Sequence, residues 1–168
     1  MLGAQLWLNL PAESKMTKPQ YGDNKKDKIP VIDESGSLVH IIAGEYIGIP
    51  GAFAGSYVKA TYLDVELSSG REWFFDTAAD ATLFIYIVHG DGIFSPENLE
   101  LISEKQAVLF GEGERFWVRA GERGIRFLLL AAKPLKEPIA WGGPIVMNTR
   151  EELNLAFMEL DNNTFIKD

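Results

Sequence analysis

Apolar and polar positions alternate with a period of two over much of this 168-residue chain, and the alternating runs end on glycine, proline or aspartate. That is the pattern of short β-strands. The clearest run is Thr61 to Leu67, with Thr61, Leu63, Val65 and Leu67 on one face and polar or amphipathic residues on the other. Two glycine-bounded blocks follow. The first, Gly70 to Gly90, predicts a strand through Trp73 and Phe75, a small-residue corner at Ala78, Ala79 and Asp80, a strand from Thr82 to Val88, and a tight turn at Gly90-Asp91-Gly92. The second, Gly113 to Leu130, predicts a strand at Phe116-Trp117-Val118, a turn through Gly121 and Gly124, and a strand over Phe127 to Ala131. Upstream, Gln5 to Asn9 alternates as a half-buried strand stopped by Pro11. Ile29 to Ile32 and Leu38 to Ala43 pair across Asp33-Glu34-Ser35-Gly36, and the glycine-rich stretch from Gly44 to Gly55 is loop. The period changes once. Thr149 with Glu152 three residues later forms a capping box, and Leu153, Ala156, Phe157 and Leu160 then recur at helical spacing until Asn162-Asn163. The fold class is all-β, an antiparallel β-sandwich or jelly-roll barrel with a short C-terminal helix.

The length suits one main core. The expected organisation is an N-terminal strand and polar connector over 1–28, a barrel over 29–142 and a helical tail over 143–168. Sixteen Lys and Arg against 24 Asp and Glu leave a net charge of −8, which disfavours a nucleic-acid partner. No uncharged run is long enough to span a bilayer. The absence of cysteine removes disulfides, thiolate nucleophiles and thiolate metal sites. The expectation is a cytoplasmic protein without a membrane partner. Ser68, Ser69 and Ser103 lack a nucleophile-elbow context, and Gly111-Glu112-Gly113-Glu114 lacks the Lys-Ser/Thr of a phosphate loop.

Four stretches carry a resemblance: Gln5-Leu6-Trp7-Leu8-Asn9-Leu10-Pro11, the loop Ala43-Gly44-Glu45-Tyr46, the run Arg126 to Ala140, and Gly143 to Glu152. In that order they resemble the pirin family of cupins. The resemblance implies a bicupin in which the metal-bearing N-terminal barrel carries three histidines and one glutamate, and it implies metal-dependent quercetin 2,3-dioxygenase activity for some members. The present chain is similar to the second barrel with its flanking segments. Because Met1 stands only four residues before Gln5, the expectation is that the ligand-bearing cupin is missing.

The general cupin frame fits the glycines. Gly70 and Gly90 bracket the first motif, whose ligand positions fall on Asp76, Ala78 and Leu83. Gly113 and Gly121 hold the second, whose last histidine position falls on Gly124. A transition metal needs about three or four converging N or O donors, so no metal ligand and no cofactor are expected in this barrel. His40 and His89 show no ligand spacing and read as packing or surface residues. With the frame's ligand positions facing inward, Glu72 and Phe74 turn inward with Asp76. Arg126, two residues beyond Gly124, then lies on the inner face as well. Asp76 and Arg126 are therefore the candidate ligand-binding pair, the simpler alternative being a structural ion pair or a rim residue.

The expected function is a metal-free, non-catalytic binding or protein-interaction module. The alternative is a pirin-type quercetin 2,3-dioxygenase, or one subunit of a split one. Leu6, Trp7, Leu8, Leu153, Phe157 and Leu160 would be left uncovered by the missing barrel, so they are the expected interface of a homodimer or of a complex with a partner that supplies it.

Overall fold

The structure, a computed structural model, describes residues 3–167. Met1 and Leu2, upstream of the first expected strand, lie outside them. The chain divides into two compact units, one of residues 24–134 and one formed by the segments up to 23 and from 135 onward.

The larger unit is antiparallel β throughout its main sheet. The strands β1 (Val31–Glu34) and β2 (Ser37–Ala43) form the expected hairpin. The turn between them is Ser35-Gly36, both at positive φ. Inside the predicted loop lies a minimal hairpin of β3 (Glu45–Tyr46) and β4 (Ile49–Pro50). Next come β5 (Thr61–Leu67), β6 (Glu72–Asp76), β7 (Thr82–Ile93), β8 (Ile102–Ser103), β9 (Ala107–Leu109) and β10 (Arg115–Ala132). The order is β1-β2-β5-β10-β7-β8, with β6 also on β10 and β9 also on β7.

Two long strands make this a sandwich. The first half of β10 pairs with β6 and its second half with β5, while β7 pairs with β9 near its start and with β8 near its end. Both strands therefore pass from one layer into the other, and both bend where they cross. The tight turns expected at Gly90-Asp91-Gly92 and at Gly121 to Gly124 do not exist. Each glycine cluster instead lies within a continuous strand. Ala120 pairs with Gly92 and Ile125 with Gly90, so residues 121 to 124 bulge out opposite Asp91. Gly90 and Gly124 take φ of +78° and +72°, and a Cβ on Gly90 would run into the carbonyl oxygen of Gly124. The bend thus needs glycine for close backbone approach as well as for φ.

The core lies between the layers. Val39, Ile41, Leu63, Val65 and Leu67 face inward from β2 and β5, as the alternation of β5 predicts. Against them pack Ile85, Ile87, Val118, Phe127 and Leu129. On β6 the inward residues are Trp73 and Phe75, and Glu72, Phe74 and Asp76 are exposed.

The smaller unit holds a hairpin of β11 (Ala140–Gly142) and β12 (Ile145–Met147) and one helix, α1 (Arg150–Asp161). The capping box is present: Thr149 Oγ1 accepts from the Glu152 N–H at 3.2 Å, and the Glu152 carboxylate accepts from the Thr149 N–H at 3.0 Å. Leu153 and Ala156 pack against Ile145 and Met147. The β11 strand, placed with the barrel in the sequence reading, packs against α1. Residues 5–9 form no strand in this unit. They run without ladder hydrogen bonds into a single 3₁₀ turn at Ala12–Ser14.

Candidate functional site

The structure does not bring the candidate pair Asp76 and Arg126 together, and neither faces the interior. Asp76 is exposed and takes a two-pronged pair from Arg115 (Nε–Oδ1 2.5 Å, Nη2–Oδ2 3.1 Å). That guanidinium also lies 4.9 Å from the centre of the Phe74 ring. The Arg115 hydrogen bonds hold the Asp76 carboxyl below the usual carboxylate range. Arg126 points outward and grips Asp64 (Nε–Oδ1 3.0 Å, Nη2–Oδ2 2.7 Å). The alternative named for the pair, structural ion pairing at the surface, describes both residues. On β6 the inward parity is that of Trp73 and Phe75, which puts Asp76 outside, and on β10 it is that of Ile125 and Phe127 beyond the bulge, which puts Arg126 outside.

The interior is filled by rings. Trp73, only 4% exposed, stacks on Phe75 and meets Phe116 and Phe127 edge-on, with centroids 5.9 to 6.3 Å apart. Its Nε1–H donates to the hydroxyl of Tyr46 at 2.9 Å. Tyr46 belongs to the short β3–β4 hairpin, so this bond ties that loop down to the core. Burial raises the Tyr46 pKa, against the smaller effect of the indole hydrogen bond. The resemblance to Ala43-Gly44-Glu45-Tyr46 marked this loop, but nothing in the sequence showed that its tyrosine is the acceptor for Trp73.

The cupin frame offers no donor set. Asp76 is outside the barrel and paired, Ala78 is exposed, Leu83 is in the core and Gly124 has no side chain. Among the described residues, no three His, Cys, Asp or Glu side chains converge to hold a metal ion. A transition-metal ion therefore does not fit these residues.

A second polar cluster sits at the strand bend. Asp91, buried, accepts from Nε and Nη2 of Arg123 through one oxygen at 3.1 and 2.8 Å. Glu104 accepts from the Gly90 N–H at 3.2 Å and lies 3.1 Å from Nδ1 of the exposed His89. The Gly90 hydrogen bond, helped by His89, Lys105 and Arg123, lowers the Glu104 pKa. These groups pin the bulge from both sides, which is a structural task.

Two concavities bear on the expected sites. One, of about 630 Å³, runs along the whole of β6 beside the β3–β4 hairpin; Glu34, Glu45, Glu72 and Asp76 line it, with Arg71 as its cation. The other, of about 520 Å³, lies in the smaller unit, where Trp7, Leu8, Ile139 and Trp141 line it with Lys15. Of the expected interface residues, Trp7 is 62% exposed, Leu8, Phe157 and Leu160 are exposed and Leu6 is half-buried. Leu153 is not available: at 2% exposure it belongs to the unit's own core.

A bent antiparallel sandwich with these motif glycines is a cupin barrel. Residues 62–166 match the pirin C-terminal cupin domain. The chain is 37% identical to Pirin-1 of Arabidopsis thaliana over 95% of its own length and 56% of that protein's, and 34% identical to Pirin of Homo sapiens over 95% and 56%. The crystal structure of quercetin 2,3-dioxygenase from Acinetobacter baumannii superposes with a TM-score of 0.84 at 34% identity, covering 95% of this chain and 55% of that one. The chain belongs to the pirin family of the cupin superfamily, and it spans about half the length of the curated relatives it matches. No helix among the described residues is long and apolar enough to cross a membrane.

Proposed function

We propose that this chain acts as a metal-free binding or protein-interaction module of the pirin family and not as a catalyst in its own right. The observation that carries this reading is the filled interior. Where a catalytic cupin needs space and three or four converging donors, this barrel packs Phe75, Phe116 and Phe127 around Trp73, and its one carboxylate at a frame position is outside and bonded to Arg115. The test is to incubate purified protein with iron, nickel, copper and zinc in turn, remove free metal, and measure bound metal, quercetin consumption and melting temperature with and without EDTA. The expected result is sub-stoichiometric metal, no turnover and an unmoved melting temperature. Stoichiometric metal with turnover would overturn the reading.

A second reading has one observation in its favour, the 34% identity to a structure described as quercetin 2,3-dioxygenase. On that reading the chain supplies one cupin of a two-cupin enzyme whose metal is held elsewhere, and activity would appear only with the other cupin present. Both readings use the exposed apolar side chains of the smaller unit, Trp7, Leu8, Phe157 and Leu160, as the surface for a second copy or for a partner that brings a further cupin. Burying such side chains contributes about 1.5–3 kcal/mol each before the costs of association. Light scattering on the wild type and on Trp7→Ser tests it: a monomer at micromolar concentration in both would remove the interface.

A further inference from the structure

Among the described residues β6 lies at a margin of the larger sheet, and that margin opens onto a cleft. β6 has β10 as its single strand partner. The Thr77 N–H donates to the Glu114 carbonyl and the Ala120 N–H to the Arg71 carbonyl, each at 2.9 Å. In an antiparallel pair such bonded positions alternate with positions whose backbone points the other way. Trp73 and Phe75 therefore turn their N–H and C=O groups toward β10, as do the Arg71 carbonyl and the Thr77 N–H. Glu72, Phe74 and Asp76 turn theirs away from it. This free edge spans about 17 Å and borders the 630 Å³ cleft.

We propose that the free edge of β6 is a docking site for an extended, basic segment of another protein, which adds to the sheet as a further strand. The backbone of Glu72, Phe74 and Asp76 supplies the hydrogen bonds, and the cleft supplies the charge preference. Four carboxylates, from Glu34, Glu45, Glu72 and Asp76, line it; Arg71 lines it too and Arg115 pairs with Asp76, so acids exceed cations there by two. Residues of an added strand placed opposite Glu72 and Asp76 share their outer face and meet these acids. The residues between them turn toward the Trp73 and Phe75 side. The preferred ligand thus alternates lysine or arginine with an apolar residue. A second copy of β6 is the wrong occupant, because two-fold antiparallel pairing centred on Phe74 sets Glu72 against Asp76 of the other copy, between chains that each carry −8. Phe74, 55% exposed beneath the Arg115 guanidinium, sets an aromatic ring between the two acids on the outer face, against which the stem of the facing lysine packs.

The proposal deepens the reading of the chain as a binding module, and its readout, protection of three amides, is independent of metal content and turnover. The probe is an N-acetylated, C-amidated heptapeptide of alternating lysine and valine, compared with its glutamate-valine counterpart and with a version methylated at the lysine backbone nitrogens. Amide hydrogen exchange is followed by NMR. The lysine-valine peptide is expected to slow exchange at Glu72, Phe74 and Asp76 at least tenfold, leave Trp73 and Phe75 unchanged, and bind more weakly as salt is added. The other two peptides are expected to give no protection. Phe74→Pro removes one outward N–H and leaves the β10 ladder intact, since proline is tolerated at a free edge; it should weaken binding at least tenfold. Glu72→Lys should do the same, and stands in for the proline variant if that does not fold. No protection at millimolar lysine-valine peptide, equal protection by the acidic peptide, or protection that rises with protein concentration in the absence of peptide would each overturn the proposal.

Discussion

The bond from Trp73 to Tyr46 is the sharpest test of a filled barrel. Tyr46→Phe removes only the hydroxyl that accepts the indole N–H. Trp73 and Tyr46 are 4% and 7% exposed, so the orphaned donor is largely shut off from water while the rings around it stay packed. An unsatisfied buried donor costs about 1–3 kcal/mol. Trp73→Phe keeps an aromatic ring in place but opens a void. It should cost somewhat less than the roughly 3–5 kcal/mol of a large aromatic cut to alanine. In the double variant neither polar group remains to be orphaned, so its cost should fall short of the sum of the singles by at least about 0.5 kcal/mol, beyond the scatter of independent sites. Urea unfolding reads all three. With a slope near 2 kcal/mol per molar, Tyr46→Phe shifts the midpoint down by roughly 1 M at unchanged slope. A loss below about 0.5 kcal/mol, or simple additivity, would mean that water reaches Trp73. The interior would then be open enough to hold a ligand.

Three further outcomes follow from the same geometry. Gly90→Ala forces a Cβ against the Gly124 carbonyl at a φ of +78°, and should destabilise the larger unit by more than about 2 kcal/mol in urea unfolding; a neutral result would mean that the bend is not a close approach. Thr149→Ala removes the hydroxyl half of the capping box and should cost about 1 kcal/mol, seen as faster amide exchange confined to the first turn of α1; unchanged exchange there would count against the cap. Asp76 and Glu104 both have lowered folded pKa values, so their contribution is complete above the unfolded values of 3.8 and 4.5 and is lost as pH falls through the folded ones. Melting temperature should therefore fall below about pH 4.5, less steeply in Glu104→Gln, and an identical slope in that variant would refute the assignment.

Local signals carried most of the elements. The alternation from Thr61 to Leu67 was enough to place β5 and its inward face, and the Thr149–Glu152 spacing placed α1, because both depend on neighbours in sequence. The errors arose where a residue's meaning depends on a distant strand. Gly90-Asp91-Gly92 has the composition of a tight turn, yet β7 continues through it, since the bulge at 121–124 supplies a partner on the facing strand and Arg123 neutralises Asp91. Gln5 to Asn9 alternates as a strand does, but within its own unit no strand pairs with it. Leu153 and Phe157 both fall on the apolar stripe of α1. Only the packing against Ile145 and Met147 shows that Leu153 is already covered and Phe157 is not.

The inversion of β6 has a physical cause that bears on function. Successive residues of a strand face opposite sides, so the strand has two choices: Trp73 and Phe75 inside, or Glu72, Phe74 and Asp76 inside. The first buries two large aromatic rings, each contributing about 1.5–3 kcal/mol. The second buries one ring and two carboxylates, and a desolvated carboxylate must find a compensating charge or lose its proton. In a metal-binding cupin the ion provides that compensation, and inward ligands are stable because of it. Here Ala78, Leu83 and Gly124 stand at three of the ligand positions, and an ion has too few donors to be held. Once those donors are absent, the aromatic choice is favoured by several kcal/mol. The lack of donors at these positions and the aromatic filling thus support each other, and replacing a single frame residue by histidine would not supply the donors an ion needs. The same choice sets Glu72 and Asp76 on the outer face beside the free edge, so the parity that closes the interior also gives the edge its acidic character.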